Sequence, residues 1–264
     1  MRGWDDHEFT PAAGYRFHAA RLGPPGGPEV VCLHGISASH LHWVRFARAL
    51  APHARTVALD LPGFGRTRGP RRALDVRGLS RALAAWLRAT DRGGAVLVTN
   101  SAGCQVAVDL AVHSPELVGP VLLNGPTIDA GARTVRHHLP RVVLNAVREP
   151  PSHLPVVLYG FLRSGPRRNL RTFRHLLHDP VERKLGLLTT PTVVVRGSRD
   201  PITPHPWVRE VADLLPDGRL TEVPGAPHTL NHSSPVEMAR ITRELLTRRS
   251  ESVSARAPEE RTDR

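Results

Sequence analysis

The chain has 264 residues, of which 40% are apolar, and its formal net charge at pH 7 is +12. This length suits one large α/β domain or two small ones, and the apolar share is enough for a substantial core. Basic surfaces attract nucleic acid or anionic membranes. The sequence nevertheless has no zinc-finger spacing and no aromatic RNA-binding motif, so we expect no nucleic-acid partner.

The cysteines and the N-terminus indicate a compartment. Cys32 and Cys104 lie in apolar stretches outside any C-x-x-C motif, which predicts buried free thiols in a reducing environment. The first ten residues lack the hydrophobic segment of a signal peptide, and no stretch approaches the roughly 20 apolar residues that cross a bilayer. We therefore expect a cytoplasmic protein with no membrane span; the oligomeric state stays open.

Strands and helices alternate along most of the chain. An opening hairpin is expected near residues 15–23, and apolar runs predict strands at 29–35, 55–63, 94–100, 118–125, 191–197 and 219–225. Helices are expected at 41–51, around 79–87, at 102–113 and at 235–248, with others in most of the remaining gaps. Such alternation predicts an α/β fold with a mostly parallel, doubly wound sheet covered on both faces.

One interval departs from this alternation. Residues 126–188 contain helical patterns interrupted by prolines and no clear strand. They predict a helical cap inserted into a core formed by residues 1–125 and 189–248. The last residues, 249–264, mix charges with serine and proline, which predicts a disordered tail.

Three polar residues follow predicted strands in the order Ser101, Asp200 and His228. The carboxyl ends of parallel strands share one edge of a sheet, so these residues are expected to converge. A serine hydroxyl needs a base to become a nucleophile, and imidazole titrates near neutral pH. A carboxylate on the far ring nitrogen orients the imidazole, so the three types together predict a catalytic triad.

Five segments in order resemble the α/β-hydrolase superfamily: "HGISASHLHW", "DLPGFGRT", "TNSAG", "RGSRDPITP" and "PGAPHTLNHSSP". The resemblance covers residues 15 to 247 and is weakest in the cap. It implies that Ser101 lies on a nucleophile elbow and that the backbone amides of Ile36 and Ala102 form an oxyanion hole. One departure is that Thr99 replaces the first glycine of the elbow, where a small residue is usual; Gly103 keeps the second small position.

The resemblance implies a serine hydrolase that cleaves a small ester or related acyl compound through an acyl-enzyme, without a cofactor. Asn100 before the serine also occurs in carbon–carbon bond hydrolases of the superfamily, and a haloperoxidase-like activity would use the same triad. Dehalogenase and epoxide hydrolase chemistry is disfavoured because related enzymes use an aspartate where this chain has Ser101. An alternative of another class is a non-catalytic ligand-binding module.

Several other residues compete for roles or extend the site. His232 is the alternative base and Asp129 the alternative acid. Candidate substrate-binding residues are His34, Gly35, Trp43, Tyr159 and Phe161, with core or cap packing as the competing role. No metal is expected, since the histidines lack a carboxylate-rich ligand motif. The interval 126–188 has ten arginines and one lysine against four carboxylates, which suggests an anionic substrate unless this is simply a solvated basic face.

Overall fold

The computed structural model describes the backbone of residues 3–254 and the side chains of residues 3–248. The strands are β1 (Asp6–Ala12), β2 (Tyr15–Leu22), β3 (Glu29–Leu33), β4 (Arg55–Asp60), β5 (Val96–Asn100), β6 (Val121–Asn124), β7 (Thr192–Gly197) and β8 (Gly218–Val223). The α-helices are α1 (Val44–Leu50), α2 (Val76–Ala89), α3 (Ala102–His113), α4 (Val135–Arg148), α5 (Leu154–Ser164), α6 (Pro166–His178), α7 (His205–Leu214), α8 (Leu230–Ser233) and α9 (Pro235–Ser254).

All eight strands form one sheet in the order β1-β2-β4-β3-β5-β6-β7-β8. The first two make an antiparallel hairpin, and β2 pairs antiparallel with β4. Every later pair is parallel. The predicted mostly parallel α/β sheet is therefore confirmed. The chain leaves β3 on one side for β4 and returns on the other for β5, and ligands of such sheets bind where the strand order reverses.

The core lies on both faces of this sheet because neighbouring residues of a strand point to opposite sides. Val31 and Leu33 of β3 belong to the apolar cluster that contains buried residues of α2, α3 and α7. Val30 and Cys32 belong to a second cluster, which contains buried residues of α1 and α9. Cys32 and Cys104 are free and buried, as predicted. Burial raises the pKa of the Cys104 thiol to about 12, so this thiol is inert at neutral pH.

The segment between β6 and β7 carries three helices, α4 to α6, and no strand among the described residues. Each of these helices contains a proline, at one of two kinds of position. Pro155 and Pro166 lie in the first turns of α5 and α6, where the missing N–H costs nothing. Pro140, expected to break the pattern, instead lies inside α4.

Two sequence boundaries are corrected. The helix expected over residues 41–51 is a 3-10 turn at His40–Trp43 followed by α1. The last helix continues to Ser254, so residues 249–254, predicted to be disordered, are helical; no proline or glycine interrupts them. The remainder of that predicted tail, 255–264, lies outside the described residues. None of the described helices has the length and apolarity needed to cross a bilayer.

Candidate active site

Ser101 lies on the sharp turn between β5 and α3. Its backbone adopts φ 53° and ψ −117°, a conformation that costs energy in any residue other than glycine. Two hydrogen bonds hold the turn: the Ser101 N–H donates to the Asn124 carbonyl at 2.9 Å, and the Cys104 N–H donates to the Ser101 carbonyl at 2.9 Å. The half-buried Ser101 side chain is thus presented at the carboxyl edge of the sheet.

Gly103 and Thr99, each two residues from the serine, are fixed by different contacts. A Cβ on Gly103 would lie 2.4 Å from the Leu33 carbonyl oxygen, so only glycine lets α3 approach β3 this closely. Thr99, by contrast, is fully buried, and its hydroxyl donates to the Leu122 carbonyl at 2.9 Å beside the Cys104 sulfur. The threonine that replaces the first elbow glycine is therefore accommodated by a hydrogen bond across to β6.

Asp200 and His228 form a buried pair at the ends of β7 and β8. His228 Nδ1 lies 2.7 Å from Asp200 Oδ2. Asp200 Oδ1 accepts the Ile202 N–H at 2.7 Å, and the Thr203 hydroxyl donates to Oδ2. Burial raises the pKa of Asp200, but the neighbouring imidazole and these donors outweigh it, so the pKa stays below its usual value. The carboxylate therefore stays charged beside the ring.

The opposite effects act on His228. Burial lowers the pKa of this imidazole, but attraction to Asp200, with a smaller contribution from Glu149, leaves the pKa above its ordinary value. Since Nδ1 contacts the carboxylate, Nε2 is the nitrogen left for chemistry. It is buried and has no hydrogen-bond partner among the described residues. The geometry thus provides an oriented base with one unused nitrogen.

Residues 124 and 125 connect Ser101 to this pair. Asn124 accepts the Ser101 N–H, and a Cβ on Gly125 would lie 2.6 Å from His228 Cε1 and 3.4 Å from Asp200 Oδ2. The structure therefore brings the three predicted residues to one edge of the sheet. Asp200 and His228 are in direct contact, whereas no hydrogen bond within the described chain joins the Ser101 hydroxyl to His228 Nε2.

The predicted oxyanion residues flank the serine. A Cβ on Gly35 would lie 3.1 Å from Ser101 Cβ, which places the backbone leading to Ile36 against the turn. Ala102 is the first residue of α3, where backbone N–H groups have no partner within the helix. Both amides belong to segments that border Ser101, as an oxyanion hole requires.

The weaker binding candidates separate in the structure. His34 is buried, with Nδ1 at 2.7 Å from the Gly35 carbonyl and Nε2 accepting the Leu61 N–H at 3.1 Å, so it braces two loops. Trp43 is fully buried in the core cluster that includes residues of α1 and α9, so of its two expected roles the structure favours core packing. Tyr159 is half-buried on α5, and Phe161 is exposed there.

The competing residues have other partners. His232 Nε2 lies 3.1 Å from the Ser152 hydroxyl, and burial lowers its pKa to about 4. Asp129 pairs with Arg141 at 2.9 Å within the cap. Neither makes a contact with Ser101, Asp200 or His228 among the described interactions. The pair formed by Asp200 and His228 is therefore favoured over both alternatives.

Sequence reasoning missed two cap residues at the end of α4. Asn145 Oδ1 accepts the His228 N–H at 3.3 Å, and Glu149 Oε1 accepts the Thr229 N–H at 2.8 Å. Asn145 Nδ2 also donates to Glu149 Oε1 at 3.3 Å. Both side chains are buried. The cap thereby holds the backbone on both sides of the imidazole, a role that no local pattern signals because the partners are about 80 positions apart.

A second buried group lies beside β2 and β4. Among the described residues His18, His40 and Asp60 form the group able to hold a metal ion, with ligand atoms within 4.8 Å of one another. Both Nδ1 atoms contact Asp60 Oδ2, at 2.7 Å and 2.9 Å. The carboxylate also accepts the His40 and Arg66 N–H groups. Hydrogen bonding alone accounts for this arrangement, in which Asp60 holds the turn that follows β4.

Comparison with known proteins shows which family the chain belongs to. The profile described as "Alpha/beta hydrolase family" matches residues 30–241. A 2-hydroxy-6-oxo-6-(2'-aminophenyl)hexa-2,4-dienoic acid hydrolase of Metapseudomonas resinovorans is 26% identical, with 88% of each chain covered. A 2-(acetamidomethylene)succinate hydrolase of Mesorhizobium japonicum is 25% identical, over 79% of this chain and 84% of that protein.

Among solved structures, the enol-lactonase of Burkholderia xenovorans LB400 superposes with a TM-score of 0.77 at 17% identity. The match covers 91% of this chain and all of the lactonase chain. At this identity the likeness concerns the fold, whereas the profile match spans most of the chain. The protein therefore belongs to the alpha/beta hydrolase family of enzymes.

Proposed function

We propose that this protein is a serine hydrolase that cleaves a small ester or related acyl compound through an acyl-enzyme. The observation that carries the proposal is the buried pair of Asp200 and His228 at the sheet edge where Ser101 occupies a strained turn. Within the described part of the chain, His228 Nε2 has no hydrogen-bond partner.

In the proposed reaction, His228 Nε2 removes the hydroxyl proton as Ser101 attacks the carbonyl carbon. The backbone amides of Ile36 and Ala102 donate to the resulting oxyanion. The imidazolium then protonates the leaving alcohol, and the C–O bond breaks to leave an acyl-serine. Water, deprotonated by the same nitrogen, attacks this ester and releases the acid and the free serine.

The proposal predicts how activity depends on pH. Only the neutral imidazole can accept the serine proton, and the pKa of His228 lies above its ordinary value. We therefore expect kcat/KM to be low below this pKa and to rise as the pH increases through it.

The decisive experiment combines Ser101→Ala with a fluorophosphonate probe. Wild-type protein should be labelled at Ser101 and should hydrolyse p-nitrophenyl acetate, while Ser101→Ala should lose both properties with unchanged thermal unfolding. Ser233→Ala is a matched control, since the Ser233 hydroxyl donates to the carbonyl of Thr229, the residue that caps its own helix. Labelling of the Ser101→Ala protein, or silence of the wild type, would exclude the proposed nucleophile; silence would favour a non-catalytic binding module.

We further propose that the substrate carries a carboxylate. The two curated relatives have names that describe hydrolases of carboxylic acids, and residues 126–188 hold a net charge of +7. Arginine binds carboxylates through two parallel hydrogen bonds. Matched neutral and carboxylated esters should therefore differ in kcat/KM, and added salt should reduce the difference. Equal values that do not respond to salt would remove this part of the proposal.

A carbon–carbon bond hydrolase is the second candidate, favoured by Asn100. This side chain is 2% exposed, lies beside the Ser101 turn, and its Nδ2 has no hydrogen-bond partner among the described residues. This amide N–H can donate a hydrogen bond to an oxygen of a diketone substrate. Comparing turnover of a vinylogous diketone acid with that of simple esters distinguishes the two, because only the second candidate favours the diketone.

A further inference from the structure

Helix α4 turns its polar side toward the protein. His138 and Asn145 are its two buried residues. Arg141 pairs with Asp129 at 2.9 Å, and the Arg148 guanidinium donates to a backbone carbonyl at 2.7 Å. These four residues follow one another at intervals of three, four and three, which places them on one side of the helix. A helix of a globular protein normally buries its apolar side instead.

The outward side of α4 is apolar, and α5, the next α-helix in the chain, also exposes apolar side chains. Val147 is 80% exposed and Leu154 is 68% exposed. Of the fifteen exposed large apolar side chains in the described part of the chain, ten belong to these two helices. We call them the cap face: Val135, Leu139, Val142, Val143, Leu144, Val147, Leu154, Leu158, Phe161 and Leu162. A concentration of exposed apolar side chains of this kind is typical of a docking site.

The charge around the cap face identifies the partner. Residues 135–178 contain eight arginines and a single carboxylate, Glu149, and Glu149 is buried. Arg136, Arg163 and Arg167, which lie on or next to the two helices, are exposed. The partner must therefore be both apolar and anionic. A second copy of the same face would bring two cationic surfaces together, and like charges oppose such an association.

We propose that the cap face docks onto the surface of a bilayer containing anionic phospholipids. Its apolar side chains enter the boundary between headgroups and acyl chains, and the arginines bind lipid phosphates. The inner side of α4 bonds to the His228 segment through Asn145, so docking brings the candidate active site to the membrane surface. The binding proposal does not depend on the proposed chemistry, because it is measured without turnover.

Flotation with lipid vesicles tests the proposal. The full chain should bind vesicles of phosphatidylcholine with roughly 30 mol% phosphatidylglycerol, and binding to pure phosphatidylcholine should be about tenfold weaker. The paired substitution of Val143→Gln with Val147→Gln should reduce the partition coefficient at least about tenfold. Val236→Gln is the matched control, since Val236 is 74% exposed on α9, and it should bind like wild type.

The same variants provide the outcomes that would overturn the proposal. Wild-type protein that stays off the anionic vesicles contradicts it, as does a paired variant that binds no more weakly than the Val236→Gln control. Sedimentation velocity gives a third outcome: a dimer that the paired substitution converts to monomer would assign the cap face to a second copy of the chain. Since both valines are exposed, unchanged thermal unfolding is expected and is checked first.

Discussion

Because Gly125 has no side chain, the backbone after β6 lies close to the ring of the candidate base, His228. This glycine follows β6, adopts φ +57°, and a Cβ there would lie 2.6 Å from His228 Cε1 and 2.7 Å from Nδ1. In Gly125→Ala the ring must retreat until this contact reaches at least 3.4 Å, a displacement of about 0.8 Å. Misplacing a reacting group by about 1 Å can cost on the order of 100-fold in rate.

We therefore expect Gly125→Ala to lower kcat/KM for p-nitrophenyl acetate about 100-fold. Alanine with positive φ should also reduce the free energy of unfolding by about 1 kcal/mol. Gly14→Ala is the matched control, because Gly14 adopts φ +76° and no atom of the described residues lies within 4 Å of its added Cβ. It should lose similar stability in urea unfolding while keeping its activity.

Comparing the two glycine variants shows whether displacement of the His228 ring or backbone strain lowers the activity. If Gly125→Ala kept a kcat/KM within about threefold of the wild type, the ring would not need its present position, and the derived displacement would have no effect on catalysis. Equal losses of activity in both variants would instead trace the effect to backbone strain. Fluorophosphonate labelling rates provide a second readout that does not depend on substrate binding.

Three further outcomes follow from buried contacts. Glu149→Gln keeps an acceptor for the Thr229 N–H but removes a charge that raises the pKa of His228, so the acid limb of kcat/KM should move to lower pH; an unmoved limb contradicts this. Asp60→Asn should cost about 3 kcal/mol in urea unfolding at pH 7. The pKa of Asp60 is lowered in the fold. The difference in unfolding free energy between wild type and Asp60→Asn should therefore shrink as the pH falls below the usual value of 3.8. A difference that stays constant with pH would refute stabilisation by the ionised carboxylate. Gly103→Ala should cost about 2 kcal/mol by separating α3 from β3, and unchanged unfolding would refute the close approach.

Much of the core could be predicted because its strands are buried on both faces. The apolar runs at β3, β5 and β7 stand out for that reason, and each lies between two helical layers. Helix α2 was indicated by the spacing of Leu79, Leu83 and Leu87, which are all buried. The limits of α1 and α9 were less accurate, since the end of a helix depends on capping contacts as well as composition.

Some residues of the candidate site were predictable from the sequence and others were not. Ser101, Asp200 and His228 were predicted because each ends or follows a recognisable strand, and strand order places such ends together. Asn145 and Glu149 were missed because their partners lie about 80 residues away in a different element. The sequence left Trp43 with two roles, pocket lining and core packing, and only its burial in the core distinguishes them.

The order of strands and helices, the identity of the polar residues at the strand ends and the free buried cysteines were determined by the sequence alone. They depend on periodicity and on local chemistry, which a linear chain displays directly. The tertiary structure decided how closely Gly125 approaches the His228 ring, which cap residues hold the His228 segment, and that α4 presents its apolar side outward. Those properties depend on distances between residues far apart in the chain, and such distances exist only once the cap has packed on the sheet.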